Sequence, residues 1–380
     1  MAGFTSLDDL INEMTVNSKF VRSDWNKLTH AVGTQAAGLW YALPHATGNP
    51  PAMTLGAVGT NLAFHIAYDR TAGAIPNGGY VSPDTKHILN ASAFSAAATT
   101  MPAIFMLVDM LGWYPVTSTT TTGNQALVNL KTFTATAATP TVLTLAAGWD
   151  MQTGTPIRLT TTTTLPAGLS LATTYYWNRL TATTGNLATS YANLAAATYV
   201  AASDTGTGTH TATLYLGDRA PSHGSGVQAY LTPSVALGAG VPNIQITYTD
   251  QDGNEGAVTP TTLPISNATA PIGQIEYSGT AAGKFGPFIP LAAGDGGIRM
   301  VEQFSYSATH TSGTTNLILA RPLLTLPMTT IGVAAERDLL NQLPSLPRVY
   351  DGACLTWLMY AGAATPVTSA FYGHLDLAWG

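Results

Sequence analysis

The sequence predicts an all-β fold, with a parent domain of the β-sandwich or jelly-roll type. Short runs of β-branched and apolar residues recur at roughly ten-residue spacing and are separated by turn formers, as is typical of sandwiches. Glycine (37) and proline (23) are frequent enough in the 380 residues to supply those turns. Only the N-terminus has helical periodicity, which predicts short helices there.

The composition predicts an ordered chain that associates with itself. Charged residues make up 9% and hydrophobic residues 46%, whereas a soluble domain has about 25% charged residues. A surface rich in Thr, Ala and Ser is poorly protected against association. Either the protein is a stable all-β monomer with a Thr-rich surface, or much of that surface is buried between copies, and we favour the second.

Net charge and targeting signals limit the partners. The net charge of −6 provides no field that would attract nucleic acid, so we expect no direct nucleic-acid contact. Residues 1–5 lack the features of a secretory signal. The longest apolar run, residues 101–114, is too short to span a bilayer and is interrupted by Pro102 and Asp109, so it predicts a core element and no membrane contact. The single cysteine, Cys354, excludes an internal disulfide and suits a reducing cytoplasm.

Two short helices are predicted near the N-terminus. The first covers residues 6–14, with Ser6 as N-cap and Asp9 in a capping-box-like position. The second follows Ser23 or Asp24 and ends at residue 33. Basic residues around these helices form either a solvated face or part of an arm that docks on a neighbouring subunit; they are Lys19, Arg22 and Lys27.

The rest of the parent domain predicts strands. Residues 103–108 are a continuous apolar run of strand length, typical of burial on both faces. Residues 244–249 alternate clearly and lead into a turn over residues 250–256. A short helix is predicted at 336–343, and further strands are predicted at 227–232, 274–278, 298–307, 316–320, 354–360 and 370–377.

A compositionally distinct segment lies between these two groups of strands. Residues 125–216 are dominated by Thr and Ala and carry few charges. Strands are predicted at 155–161, 173–180, 198–200 and 210–216, with a glycine-rich loop at 204–208. The style of the first segment returns after residue 217. The predicted domains are therefore residues 1–124 and 217–380 as two parts of one parent, with an inserted module at 125–216; three domains in a row are the alternative.

Five spaced elements in this segment resemble a small immunoglobulin-like module of tailed-bacteriophage structural proteins. They are G-x-P-I-R-L-T-T (154–161), L-P-A-G-L (165–169), T-x-Y-Y (173–176), N-L-A-T-S (186–190) and G-T-G-T-H-T (206–211). The resemblance covers about 90 residues and implies an inserted immunoglobulin-like β-sandwich. Residues 245–249 and 284–295 are more vaguely similar to virion proteins of the same phages. Trp177 departs from the module's pattern, which usually has a smaller aliphatic residue there.

No motif predicts a catalytic, cofactor-binding or metal-binding residue. The eight histidines have no paired spacing, so we expect core or surface histidines; they are His30, His45, His65, His87, His210, His223, His310 and His374. Asp250, Asp252 and Asn254 have the spacing of a calcium loop, but Glu255 stands where glycine is required and Thr261 where a bidentate glutamate is expected. A hairpin turn is the preferred interpretation.

Enzymatic activity is not predicted. A glycosidase needs two carboxylates about 5–9.5 Å apart, and the sequence neither shows nor excludes such a pair among Glu13, Glu255, Glu276, Glu302, Glu336 and the scattered aspartates. Residues 175–177 (Tyr-Tyr-Trp) could stack on sugars but are more typical of a core. No Walker loop or dinucleotide fingerprint is present, and no cofactor is expected.

These observations and the resemblance predict a structural protein of a tailed-phage virion. We expect a multi-copy capsid component, shell or decoration, assembled in the bacterial host cytoplasm, whose partners are copies of itself and other virion proteins. A tail or fibre protein that binds a receptor or glycan is the alternative. A depolymerase is a remote third possibility.

Overall fold

Strands dominate the described residues, which confirms the predicted all-β fold. This computed structural model describes residues 3–29, 35–55, 62–97, 100–117, 119, 123–217, 219, 224–260, 263–265, 269–277, 286–342, 346–367 and 369–380. Within these ranges no helix is long and apolar enough to cross a membrane.

The elements follow in chain order. The first part contains α1 (Leu7–Thr15), β1 (Phe20–Leu28), β2 (Leu39–Ala42), a 3-10 helix (Leu43–His45), β3 (Gly48–Asn49), β4 (His65–Ile66), β5 (Lys86–Phe94), β6 (Ala103–Val116) and β7 (Gly123–Ala126). The central segment contains β8 (Leu130–Ala135), β9 (Leu143–Leu145), β10 (Pro156–Thr161), β11 (Tyr175–Arg179), β12 (Thr184–Ala188), α2 (Tyr191–Ala195) and β13 (His210–Leu214). The last part contains β14 (Gln228–Val235), β15 (Asn243–Asp250), β16 (Ala257–Val258), β17 (Leu263–Pro264), β18 (Ile298–Tyr306), β19 (Thr314–Met328), β20 (Ala335–Asp338), α3 (Leu339–Gln342), β21 (Arg348–Val349), β22 (Leu355–Ala361) and β23 (Ala370–Trp379).

Sheet A has the strand order β20-β5-β23-β1-β3, with β21 also paired to β5. Its inner face is apolar: the Trp25 ring lies 5.9 Å from Phe105 and 5.2 Å from Trp357. Helix α1 covers one end of the outer face, where Leu10 packs with Leu89. The remainder of the outer face has no helix over it in the described part of the chain.

Sheet B is the central layer, with the order β14-β19-β6-β22-β2 and β4 on β6. The predicted core run forms β6, whose Phe105 packs towards sheet A and whose Tyr114 packs towards sheet C. Between Phe105 and Tyr114, β6 requires glycine at residue 112 (φ +158), because a Cβ there would lie 2.3 Å from the His65 carbonyl oxygen.

An irregular segment joins the two edge strands of sheet B. Gly273 O accepts from Ala42 N on β2 (2.7 Å), and Glu276 N donates to Leu231 O on β14 (2.8 Å). Part of the strand predicted at 274–278 therefore lies in this bridging segment. Its backbone groups form hydrogen bonds with β2 and β14, edge strands that would otherwise be open to pairing with other chains.

Sheet C, of order β16-β15-β18-β7 with β17 on β15, packs on the second half of sheet B. Ile246 and Phe304 from sheet C share one buried cluster with Tyr114 and Leu317 from sheet B. The parent domain is thus layered, with sheet B packed against sheet A at one end and sheet C at the other.

The central segment forms a closed six-stranded barrel, of order β10-β11-β12-β9-β8-β13. Its hydrogen-bonded ring is continuous, whereas an immunoglobulin-like sandwich consists of two separate sheets, so the immunoglobulin-like assignment stays a prediction. Trp177 is buried, and Gly185 makes room for it, because a Cβ on Gly185 would lie 2.4 Å from Trp177 Cε2. Tyr175 and Tyr176 are also buried, which confirms the core interpretation of residues 175–177.

The predicted limits of the module, 125 and 216, stay a prediction, but two contacts bear on them. Residues 123–126 form β7, which pairs with β18 of sheet C rather than with the barrel. The buried side chains of the barrel, Phe133 and Trp149 among them, also belong to the same cluster as Phe64 and Tyr114 of the parent. The apolar core therefore runs from the barrel into the parent.

The second predicted N-terminal helix is wrong. Phe20–Leu28 is strand β1, and all nine of its residues pair with β23. A two-residue period, with Ser23, Trp25 and Lys27 buried, outweighs the helical spacing of Trp25 and Leu28. Residues 30–34 lie outside the described residues.

Two other local predictions are corrected. No strand forms at 198–200. The residues just before them form helix α2, whose N-cap Ser190 accepts from Asn193 N (3.0 Å). Of the helix predicted at 336–343, the first residues form β20 because they pair with the edge of β5, and only Leu339–Gln342 are helical. The first predicted helix is confirmed as α1, and its Ser6 cap accepts from Asp9 N (3.1 Å).

Candidate functional site: the open face of sheet A

The uncovered half of the outer face of sheet A collects polar, charged and aromatic side chains. Strand pairing aligns them in rows, so that Asp24 on β1 lies opposite His374 on β23, which lies opposite Ser92 on β5. Rows on either side are built in the same way. We call this surface the open face and define it as Arg22, Asp24, Asn26, Asn90, Ser92, Phe94, Glu336, Asp338, Tyr372, His374 and Asp376.

A hydrogen-bond network fixes half of the open face. Arg22 donates to both Asp376 oxygens, at 2.7 and 2.6 Å, and this bond raises the pKa of Arg22. His374 Nδ1 shares a 2.7 Å hydrogen bond with Ser92 Oγ. Asn90 Nδ2 donates to Glu336 Oε1 at 2.7 Å. These bonds hold the side chains in one arrangement across four strands.

Ser92, His374 and Asp376 are the residue types of a hydrolase triad, but their geometry is different. Asp376 Oδ2 lies 3.9 Å from His374 Nε2, beyond a hydrogen bond, and both of its oxygens are engaged by Arg22. Ser92 is buried, and its Oγ accepts from His374 N at 3.1 Å. A nucleophile must reach its substrate and its base together, so this group is better suited to hold the face than to catalyse.

A groove of about 470 Å³ lies beside the network. Its apolar part is the cross-strand pair Phe94 and Tyr372, whose rings stack at 5.3 Å with 30° between their planes. These rings are 37% and 40% exposed. Around them the groove is lined by Asp24, Asn26, Asn49 and Glu336.

Gly373 and Trp25 form part of the same lining. A Cβ on Gly373 would lie 1.9 Å from the Ser92 carbonyl oxygen and 2.7 Å from Trp25 Cζ2. Within the described part of the chain, Trp25 Nε1 has no hydrogen-bond partner. The absence of a side chain at residue 373 thus keeps the strands close, and the Trp25 ring packs on the inner face against Phe105 and Trp357.

A second cleft, of about 400 Å³, lies where the barrel meets the parent. Its two central charged groups are already paired: Lys86 Nζ donates to Asn77 Oδ1 (3.1 Å) and Gly79 O (2.5 Å), and Asp351 accepts from Val81 N and Ser82 N. Tyr191 of α2 stacks on Tyr80 at 5.7 Å. Because these groups bond to each other, the cleft is a structural junction, and the open face is the better candidate site.

A buried acid lies between sheets B and C. Glu276 is fully buried, with Oε2 3.4 Å from Tyr306 Oη and 3.9 Å from His310 Nε2. Burial raises the pKa of Glu276 to about 8, and burial also lowers the pKa of His310. At neutral pH this group is therefore a set of uncharged hydrogen-bonding side chains, without access to solvent.

The predicted site candidates are placed as follows. Asp250 accepts from Asp252 N (2.8 Å), Asn254 N (2.9 Å) and Asn254 Nδ2 (2.7 Å), so its oxygens shape a hairpin turn. Among the described residues no group of three or more His, Cys, Asp or Glu could hold a metal ion. His65 stacks on Trp113 and is buried, which lowers its pKa to about 4. His30, His223, Thr261 and Lys284 lie outside the described residues.

Lys27 is a correction to the predicted solvated face. It is buried, and its Nζ donates to the carbonyl oxygens of Ala46 (3.2 Å), Pro50 (2.8 Å) and Pro51 (3.4 Å). Burial lowers the pKa of Lys27 to about 8. Lys19 is instead paired with Glu13 and Asp84, at 2.9 and 2.8 Å.

The sequence interpretation missed the open face because residues 23–28 were placed in a helix. The alternation of Arg22, Asp24 and Asn26 with Ser23, Trp25 and Lys27 was the available signal, and it predicts a strand with one polar face. The pairing of that strand with β23 joins residues more than 300 positions apart. Local patterns carry no information on such pairing.

Comparisons with known proteins do not identify the chain. No family model matches it, and no curated protein matches it. The structure of infectious bursal disease virus Gt strain is 8% identical over 95% of this chain and 80% of that chain, with a TM-score of 0.15. Infectious bursal virus derived T=1 particles give 7% identity over 97% and 82%, with a TM-score of 0.15. Similarity this low supports neither a shared fold nor a shared function.

Proposed function

We propose that this chain is a multi-copy structural protein of a tailed-bacteriophage virion, a shell or decoration component of the capsid. It acts through contacts with copies of itself and with other virion proteins. The observation that carries the proposal is that helix α1 is apolar both on the side that packs on sheet A and on a side that is exposed.

Helix α1 is anchored on sheet A but leaves large apolar side chains in solvent. Leu10 is buried, while Leu7 is 62%, Ile11 49% and Val16 71% exposed. Leu7 and Ile11 are four residues apart and so share one side of the helix. Burial of such side chains is worth about 1.5–3 kcal/mol each. A second copy covering this side is therefore the favourable state.

Two further observations support an assembled state. With 9% charged residues, the chain has little charge to keep copies apart. The resemblance of residues 154–211 to a module of tailed-phage structural proteins supports a tailed-phage virion as the particle.

Sedimentation velocity at low and high salt tests the proposal. We expect the chain to associate in both, since screening weakens ion pairs but not apolar burial. The double variant L7E/I11E should shift towards the monomer. The matched control L171E/L180E alters two exposed leucines of the barrel segment and should associate like the wild type.

Two outcomes would contradict the proposal. One is a wild-type chain that stays monomeric at high concentration. The other is equal loss of association in both double variants, because the contact would then not involve α1. Electron microscopy of the associated material should show closed or regular particles.

The alternative role, a tail or fibre protein that binds a receptor or glycan, is favoured by one observation, the aromatic groove of the open face. An image of purified virions labelled for this chain, with its copy number, separates the two roles. Hundreds of copies over the head indicate the capsid role, and a few copies at the tail indicate the alternative.

A further inference from the structure

We propose that the groove of the open face binds an uncharged saccharide, with Phe94 and Tyr372 as the stacking platform. This binding activity goes beyond the structural role proposed above and does not depend on it.

The platform is exposed and rigid. Phe94 and Tyr372 are direct cross-strand neighbours on the adjacent strands β5 and β23, and their rings are already stacked at 5.3 Å. A ligand therefore has little side-chain freedom to restrict when it binds. The exposed ring faces offer flat apolar area to the C–H face of a sugar ring.

The surrounding groups both donate and accept hydrogen bonds. Asp24 and Glu336 offer carboxylate oxygens, and Asn26 and Asn49 offer amides in the same lining. A hydroxyl group donates and accepts at once, so a polyhydroxyl ligand can satisfy both kinds of group.

Charge separates this ligand class from two others. An anionic ligand would face the carboxylates of Asp24 and Glu336, both in the lining of the groove. A cationic ligand would suit the carboxylates and the rings but could not accept from the side-chain amides of Asn26 and Asn49 in the same lining. An uncharged sugar is not repelled by the carboxylates, and its hydroxyl groups can accept hydrogen bonds from the amides.

The shape of the site also fits. A groove of about 470 Å³ falls within the range of small-molecule sites, about 300–1,000 Å³. It is open along the sheet, so a chain of several sugar units can extend beyond the two rings. We therefore infer an oligosaccharide, and not a single enclosed monosaccharide.

Saturation-transfer NMR and calorimetry on the full chain test the proposal. The probes are maltohexaose and chitohexaose as uncharged sugars, hexagalacturonate as an anion and hexalysine as a cation. We expect at least one uncharged sugar to bind and neither charged probe to compete with it. F94A and Y372A should each weaken binding at least tenfold, while Y372F, which keeps the ring, should stay within threefold. Y199A, at a half-buried tyrosine of the barrel segment, is the control and should bind like the wild type.

Three results would overturn the proposal. They are no binding of either uncharged sugar, unchanged binding by a folded F94A/Y372A variant, and tighter binding of hexalysine through the same two residues. Sedimentation of F94A and Y372A keeps the two proposals separate. Normal association without sugar binding supports the groove as the saccharide site and leaves the capsid role intact, whereas loss of association would make the open face a subunit contact and overturn the saccharide site.

Discussion

Two arginine–aspartate pairs of this chain, one in the interior and one on the open face, use the same groups in opposite ways. Arg219 and Asp109 are 2% and 0% exposed and lie 2.5 Å apart, under the junction of barrel and parent. Arg22 and Asp376 are 54% and 9% exposed and lie 2.6 Å apart on sheet A. Both pairs join distant parts of the chain, but only Arg22 of the second pair is open to solvent.

The interior pair is committed to the fold. Arg219 also donates to the carbonyl oxygens of Ala67 and Met110, and Asp109 Oδ1 also accepts from Cys354 N (3.0 Å). Burial by itself lowers the pKa of Arg219, but the Asp109 carboxylate more than offsets this and the pKa is raised. Four segments of the chain therefore meet at one ion pair, which is closed to solvent.

The comparison shows that burial, and not residue type, decides what a polar group does here. Removal of one buried partner strands a charge in a medium that cannot solvate it. Removal of the partner of an exposed group, such as Arg22, leaves that group in water. The predictions below test this difference, starting with the largest effect.

Replacement of Arg219 by Met should destabilise the protein by about 3–5 kcal/mol, because Asp109 would remain buried and unpaired. Urea unfolding followed by tryptophan fluorescence measures this, on the L7E/I11E background so that association does not interfere. The double variant R219M/D109L should recover most of the loss, since both charges are then gone. A loss below about 1 kcal/mol for R219M would show that Asp109 finds another partner or solvent.

Part of this pair could be predicted from the sequence. Asp109 interrupts the apolar run 101–114, and a carboxylate inside a core run requires a buried partner. The identity of that partner could not be predicted, because Arg219 lies 110 positions later in a loop without a pattern. The fold class, α1 and β6 could be predicted because their signals are local. The sheet order and the open face are set by long-range pairing and could not.

Glu276 should make stability fall as the pH rises. The ordinary pKa of the carboxyl is 4.5, and burial raises it to about 8 in the folded protein. Between these values the folded protein holds a proton that the unfolded chain has released. The stabilisation is therefore complete below about pH 4.5 and is lost as the pH rises through about 8, with a slope of up to about 1.4 kcal/mol per pH unit.

Comparison with E276Q isolates this effect, because the amide does not titrate. The pKa of His310 is lowered by burial, which makes stability fall at pH values below its ordinary 6.5 in both proteins, so the difference between the two proteins is the relevant quantity. Unfolding free energies between pH 5 and 8 should fall more steeply for the wild type. Parallel curves would mean that Glu276 has access to water in the folded state.

Cys354 should react slowly and contribute a moderate amount of stability. The thiol is buried beside the Asp109–Arg219 pair, and burial raises its pKa to about 12. Since only the thiolate is nucleophilic, thiol reagents should label the native protein much more slowly than the unfolded chain. C354A should cost about 1–2 kcal/mol through lost packing. Rapid labelling of the native protein would place the thiol at a surface.

The smallest effect is expected at the exposed pair. D376N should change the free energy of unfolding by no more than about 1 kcal/mol, because the Arg22 guanidinium is 54% exposed and stays in water once its partner is gone. The bidentate geometry is favourable, but more than half of the Arg22 side chain is already solvated. The same urea titration as for R219M measures it, and high salt should reduce the difference further. A loss as large as that of R219M would mean that the open face is sealed in the folded state, for example by a second copy, and would remove the distinction between the two pairs.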